Sequence, residues 1–172
     1  MAKLESMFHY IVEECEHPIV PLSKEIKLIN DYIELELVRY GNNLSIDTKI
    51  IIGENKMITP LLLIPFIENS FKHGASKMLN NPWIKLDIKV NENMLYFSLV
   101  NSKPYSEINA NEKKGIGLNN VKKRLQLLYP GKHSLQIEST NDTFIVNMQL
   151  PLEEYILKED ELATEKIRFV PV

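Results

Sequence analysis

The stretch "TPLLLIPFIENSFKHG", residues 59–74, decides how this chain is read. Thr59-Pro60 reads as a helix start, a capping hydroxyl followed by proline at the first helical position. Leu63, Phe66, Ile67 and Phe71 then form an apolar face, and Gly74 reads as the stop. Asn69, Lys72 and His73 are related by i+3 and i+4 and share the opposite face, where Glu68 pairs at i+4 with Lys72. As a plain surface stripe, the Glu-Lys pair would be worth a few tenths of a kcal/mol. Asparagine gains nothing mid-helix on a solvated face. Its amide oxygen is a hard neutral ligand, suited to a magnesium ion that keeps most of its waters and shares phosphate oxygens. The neighbouring Lys72 and His73 suit phosphate. Pro65 is anomalous, because inside a helix it removes a hydrogen bond. Either it kinks the helix one turn before Asn69, or the segment ahead of it is not regular helix.

Upstream, Leu4, Met7, Phe8, Ile11 and Val12 predict an amphipathic helix over residues 3–15, closed by His17-Pro18. A second helix starts at Ser23, read as its N-cap, with Glu25 in the first turn. Ile26, Ile29, Ile33, Leu37 and Tyr40 line its apolar face, and Gly41 ends it. Alternation over residues 44–50 predicts a half-buried strand. Two more strands, 82–90 and 94–100, make a hairpin across Asn91-Glu92-Asn93. Residues 101–114 are polar and without period, and a loop of that length is usually functional or mobile. A helix carrying Leu118, Val121, Leu125 and Leu128 follows, then strands near 134–139 and 143–150. This order lacks strict strand-helix alternation. It predicts an α+β two-layer sandwich, a mixed sheet with helices on one face, preceded by a helical segment.

A second motif opens the last helix. "KKGIGLNNVKKRL", residues 113–125, places Gly115 and Gly117 just before a helical pattern. Glycines let backbone approach a ligand, and a helix N-terminus offers unpaired N–H groups to an anion. The third glycine of a dinucleotide fingerprint and the Gly-Lys-Ser/Thr of a Walker loop are both missing. Taken alone, the two glycines are equally a flexible loop end.

Composition narrows the classes. The chain has 172 residues and a formal net charge of −3, with scattered basic residues. It carries no basic run interleaved with aromatics, so no nucleic-acid partner is expected. The single cysteine, Cys15, excludes an intrachain disulfide. No apolar stretch approaches the ~20 residues that span a bilayer, and the first residues lack a leader pattern. Met1-Ala2 running straight into a helix reads as a start cut into a longer protein.

Together these blocks resemble the LytS/YehU-type sensor histidine kinases. "TPLLLIPFIENSFKHG" looks like that family's N box, and "GIGLNNVKKRLQLLYPGKHSL" like its second glycine box. "VPLSKEIKLINDYIELELVRYG" looks like the segment that precedes the catalytic domain. The resemblance runs over about residues 4–150. It implies the Bergerat-type ATP-binding fold shared by gyrase-type ATPases, the Hsp90 chaperone and histidine kinases, with ATP and Mg2+ as cofactors. It implies magnesium on Asn69, and phosphate near Lys72, His73 and the segment Gly115, Ile116, Gly117 and Leu118. The lid would be about 102–114, and Glu68 is the candidate to aid transfer.

There are departures from the family pattern. Asn101 stands where an aspartate would accept from the adenine amine, and Lys103 where a glycine would follow. A neutral acceptor makes a weaker bond than a charged one. Pro65 stands where related hydrolases keep the glutamate that activates water, which argues against a hydrolase. None of His9, His17, His73 or His133 fits the family's phosphoacceptor motif. The implied layout is a helical linker at 1–41, a catalytic domain at 42–151 and a tail at 152–172. The expected function is transfer of the ATP γ-phosphoryl group to a histidine upstream of this segment. A degenerate interaction module with weak or no nucleotide binding is the alternative. The implied partners are the acceptor domain of the same protein, a response regulator of LytTR type and a second copy. The expected setting is a cytoplasmic domain of an inner-membrane protein.

Overall fold

The computed structural model describes residues 2–14, 16–78, 81–105 and 116–154. Helix α1 (Ala2–His9) continues as a π-helical turn at Tyr10–Glu14. A short strand, β1 (Val20–Pro21), leads into helix α2 (Leu22–Tyr40). Then come β2 (Ser45–Ile51), β3 (Lys56–Ile58) and α3 (Ile64–Asn69). Next are β4 (Trp83–Asn91), β5 (Met94–Ser102), α4 (Ile116–Leu128), β6 (Ser134–Ser139), β7 (Thr143–Pro151) and β8 (Glu153–Glu154).

The main sheet has the order β2-β4-β5-β7-β6. β2 runs parallel to β4 and the other pairs are antiparallel, so the sheet is mixed. Alternation selects its faces. Ile84, Leu86 and Ile88 of β4, Leu95, Phe97 and Leu99 of β5, and Val146, Met148 and Leu150 of β7 are all buried. Lys85, Lys89, Tyr96, Asn147 and Gln149, which alternate with them, are exposed. On that solvated face Asp47 lies opposite Lys85 and Lys49 opposite Asp87, pairs of opposite charge that favour this register.

Helices cover the other face. Leu22, Ile26, Ile29 and Ile33 of α2, Ile64, Phe66 and Ile67 of α3, and Val121 and Leu125 of α4 join the same core as the sheet. Phe66 meets Phe97 with ring centroids 5.6 Å apart, fastening α3 onto β5. Full burial of one such side chain is worth about 1.5–3 kcal/mol. The expected α+β two-layer sandwich is the fold observed, and the five longer strands stand where they were expected.

Three local expectations differ. Ser23 is not the cap of α2: the helix begins at Leu22, behind Pro21 at φ −55° and ψ 130°, with no side-chain cap. Thr59-Pro60 does not open a helix, since α3 starts only at Ile64. Pro65 therefore sits in the first turn, where its missing N–H costs nothing. The helix then widens into a π-helical turn over Ser70–Gly74. Gly41 does end α2, at φ +56°, with its N–H donated to Leu37 O.

A second, small sheet has the order β1-β3-β8. Lys56 Nζ reaches Glu154 Oε1 at 2.5 Å across it. That contact holds the Glu154 carboxyl below the usual carboxylate range, through hydrogen bonding first and charge second. Strands of two or three residues are too short to show a period, which is why the pattern missed them.

Candidate functional site

The site is built around the turn at residues 59–63. Leu61 has φ +53°, a conformation uncommon outside glycine. Its N–H donates to Glu25 Oε2 at 2.9 Å, and the N–H of Leu63 donates to Glu25 Oε1 at 3.0 Å. These amides precede α3 and would otherwise be unpaired donors at a helix start. Glu25 lies on α2 and is fully buried. Tyr10 Oη adds a third hydrogen bond to Oε2 at 2.6 Å. A buried carboxyl is tolerated only when its oxygens are satisfied in this way.

The same turn is held by α4 and the residues after it. Arg124 Nη1 donates to the Leu61 carbonyl at 3.3 Å. The Tyr129 hydroxyl meets Thr59 Oγ1 at 3.0 Å. Thr59, read from sequence as a helix cap, instead ties the turn to the far end of α4.

From this turn α3 carries Glu68 and Asn69. Asn69 is half-buried, and Glu68, Lys72 and His73 are exposed. Partial burial raises the proton affinity of Glu68, and the charge of Lys72 opposes that rise. The predicted Glu68–Lys72 proximity is thus present. Tyr32 of α2 stands near as well. Burial, then the carboxylates of Glu36 and Glu68, push its phenol well above its ordinary value. Asn69, Lys72 and His73 do not share one straight helical face. Asn69 ends the regular helix, and Lys72 and His73 lie in the wider π-helical turn. A wider turn rotates the i+3 partner of Asn69, Lys72, off its face and leaves the i+4 partner, His73, near its direction.

Gly74 brings the next predicted residue to this turn. A Cβ built on Gly74 would stand 2.3 Å from Asn101 Nδ2 and 2.8 Å from Ser102 O. Its φ is −94°, so glycine is required by close approach rather than by a left-handed stop. Asn101 ends β5 and is only 2 % exposed. Its Nδ2 donates to Ser102 O at 2.9 Å. Its Oδ1 is buried and accepts no hydrogen bond from any described group. Lys103 is drawn the other way, with its Nζ 2.8 Å from Ser139 Oγ.

α3 packs against α4, so the two sequence motifs are neighbours. Gly117 is exposed in the first turn of α4, and nothing lies within 4 Å of where its Cβ would be. Leu118 is half-buried beside it. Gly115, the side chain of Ile116 and the greater part of the expected lid, 106–114, lie outside the described residues. So do residues 155–172 of the expected tail. His9 is exposed and faces Glu13 at 3.0 Å, an ordinary helix pair.

The partnerless, buried Oδ1 of Asn101 fits an N–H donor such as the adenine amine. Among the described residues no group of three or more His, Cys, Asp or Glu side chains could hold a metal ion. Asn69, half-buried at the end of α3, offers an amide oxygen, the kind of hard neutral donor that magnesium accepts alongside phosphate oxygens and water. Among the described residues no helix is long and apolar enough to cross a membrane.

Sequence reasoning missed Glu25, Arg124 and Tyr129. Glu25 had a signal, a carboxylate in a first turn, but that signal is satisfied equally by the helix dipole.

Comparison with known proteins agrees with this fold. The family model described as histidine kinase matches residues 1–44. Sensor histidine kinase YpdA of Escherichia coli is 28% identical over 160 residues, 87% of this chain and 28% of that protein. Sensor protein LytS of Oceanobacillus iheyensis is 29% identical over 149 residues, 77% of this chain and 25% of that protein. The chain thus spans less than a third of the length of these relatives. Among solved structures, the histidine kinase domain of the Erythrobacter litoralis EL346 blue-light activated kinase superposes with a TM-score of 0.58 at 15% identity. That match covers 77% of this chain and 66% of the other. Histidine kinase ThkA, solved in complex with response regulator protein TrrA, gives a TM-score of 0.52 at 16% identity, covering 87% and 47%.

Proposed function

We propose that this chain, a relative of the LytS- and YpdA-type sensor histidine kinases with the fold of histidine kinase catalytic domains, binds Mg-ATP for phosphoryl transfer to a histidine. The acceptor would lie on another part of the same protein. The buried Oδ1 of Asn101 carries this reading, because a buried acceptor left unpaired costs about 1–3 kcal/mol. An adenine amine would satisfy it. In a degenerate module of the same fold, the same oxygen would serve no purpose and still carry that cost.

In the transfer, an imidazole nitrogen of the acceptor histidine attacks the γ-phosphorus. The bond to the bridging oxygen breaks, ADP leaves with that electron pair, and the ring loses its other N–H proton. Asn69 would hold a magnesium ion, which would supply charge neutralisation at the phosphates. This chain's residues position the reactants and stabilise charge, which is most of what phosphoryl transfer needs. Lys72 and His73 face solvent beside Asn69 and would approach the phosphates, together with the backbone of Gly115, Ile116, Gly117 and Leu118. Glu68, with its raised proton affinity, is suited to take the proton the ring gives up. Pro65 leaves no carboxylate one turn before Asn69 to activate water. A response regulator, of LytTR type on the family resemblance, would receive the phosphoryl group. The assembled protein would be a membrane-anchored homodimer.

Calorimetry with ADP and magnesium tests the binding. Saturable binding that disappears without magnesium and in Asn69→Ala is expected. No heat at millimolar nucleotide would establish the degenerate module instead. Labelled ATP should label a separately supplied acceptor domain and leave this chain unlabelled.

A further inference from the structure

The turn at Leu61 is strained and held from both sides. Its N–H goes to Glu25 on α2 and its carbonyl to Arg124 on α4. Non-glycine residues in this backbone region persist only where their surroundings over-determine them, and such positions cluster at functional sites. Here the surroundings are identifiable. Glu25 takes the amides of Leu61 and Leu63 on its two oxygens. Tyr10, on the π-helical turn that follows α1, shares the first of those oxygens. Arg124 and Tyr129 fix the turn from the α4 side.

Three consequences follow from connectivity alone. Leu61 is three residues before α3, so its peptide sets where α3 starts and hence where Asn69 ends. Arg124 is seven residues after Gly117 on α4, about two turns, so it anchors the helix whose first turn carries the glycine motif. Tyr10 belongs to neither motif, and links both to the N-terminal helices.

We propose that Glu25 and Arg124 are positioning residues of the nucleotide site. Through the Leu61 turn they set the spacing between Asn69 and the glycine end of α4. Tyr10 makes that spacing depend on where the N-terminal helix sits. The proposal rests on the nucleotide reading above. It extends it by naming the connection through which movement of α1 alters nucleotide binding.

The test uses the full chain and four substitutions: Tyr10→Phe, Glu25→Gln, Arg124→Ala and Arg124→Lys. Val146→Ala serves as control, since Val146 is buried in β7 and is not a partner in the turn's hydrogen bonds. Melting temperature, the Kd for ADP with magnesium, and amide hydrogen exchange over residues 59–74 are measured for each. Tyr10→Phe removes one hydroxyl and is the variant least disposed to misfold. It should weaken ADP binding about fivefold and speed exchange at Leu61 and Leu63. Glu25→Gln should do more, because its amide would present N–H groups to a backbone donor. Arg124→Ala should weaken binding and Arg124→Lys should restore it, since the Leu61 carbonyl needs only one donor. Val146→Ala should lower the melting temperature and leave Kd within twofold.

Equal Kd in wild type, Tyr10→Phe and Glu25→Gln would overturn the proposal, as would an equal loss of affinity in Val146→Ala. If the wild type binds no nucleotide, the kinase reading fails separately. Exchange then decides the coupling, and unchanged rates at Leu61 and Leu63 in Tyr10→Phe would overturn it.

Discussion

Gly74 packs directly onto the side-chain amide of Asn101, with only 2.3 Å between Nδ2 and the place a Cβ would take. This contact joins the π-helical turn after α3 to the end of β5. It also places Asn101, the most buried of the predicted site residues among those described, against the last residue of the stretch 59–74.

Gly74→Ala should therefore be costly. The obstruction is a buried amide and a backbone carbonyl, not the free end of a flexible side chain. Overpacking of this kind costs about 1–3 kcal/mol. The variant should melt several degrees lower and lose the melting shift expected of the wild type with ADP and magnesium. An unchanged shift would mean that Asn101 plays no part in binding.

Gly117→Ala should behave in the opposite way for stability. The Cβ has open space, and the residue sits in the first turn of α4. Alanine favours helix over glycine by about 0.5–1 kcal/mol. The melting temperature should rise, while affinity for ADP falls if backbone approaches phosphate there. A rise in both would remove Gly117 from the site.

Asn101→Leu separates the cost of the site from its use. The substitution removes a partnerless acceptor, worth about 1–3 kcal/mol, and gives up one hydrogen bond to Ser102 O, worth about 1 kcal/mol. Without nucleotide, the variant should be as stable as wild type or up to about 2 kcal/mol more so. With ADP and magnesium, its melting temperature should not move. Parallel denaturant titrations with and without nucleotide check both halves.

The sheet was legible because its inner strands alternate strictly, as Ile84, Leu86 and Ile88 do, and burial on one face leaves no other register. The apolar face of the N-box segment was legible for the same reason. What escaped was geometry that depends on partners distant in sequence. Thr59 looked like a cap because hydroxyl and proline are the ordinary signs of one, yet its hydroxyl serves Tyr129, seventy residues away. Gly74 looked like a stop, although its absence of a side chain is demanded by Asn101. The i+3 and i+4 stripe assumed a uniform helix, and the π-helical turn at Ser70–Gly74 changes that spacing where Lys72 and His73 sit.

Glu68 is the residue whose role pH can separate from its structure. Burial raises its proton affinity in the folded state, and Lys72 only partly offsets this. The folded chain thus holds the proton more tightly than the unfolded chain. Below the unfolded carboxyl's titration both states are protonated and there is no penalty. As pH rises through the folded value, a penalty develops and is then constant. Glu68→Gln removes it, so the variant should melt slightly higher at neutral pH, on the order of one degree after solvent screening. The two melting curves should converge in acid, below the ordinary carboxylate range. If Glu68 also takes the proton from the acceptor imidazole, transfer to a supplied acceptor domain should fall by about a hundredfold or more. The Kd for ADP should stay unchanged. A loss of affinity equal to the loss of transfer would make Glu68 a binding group, and a normal transfer rate would leave it only its pairing with Lys72.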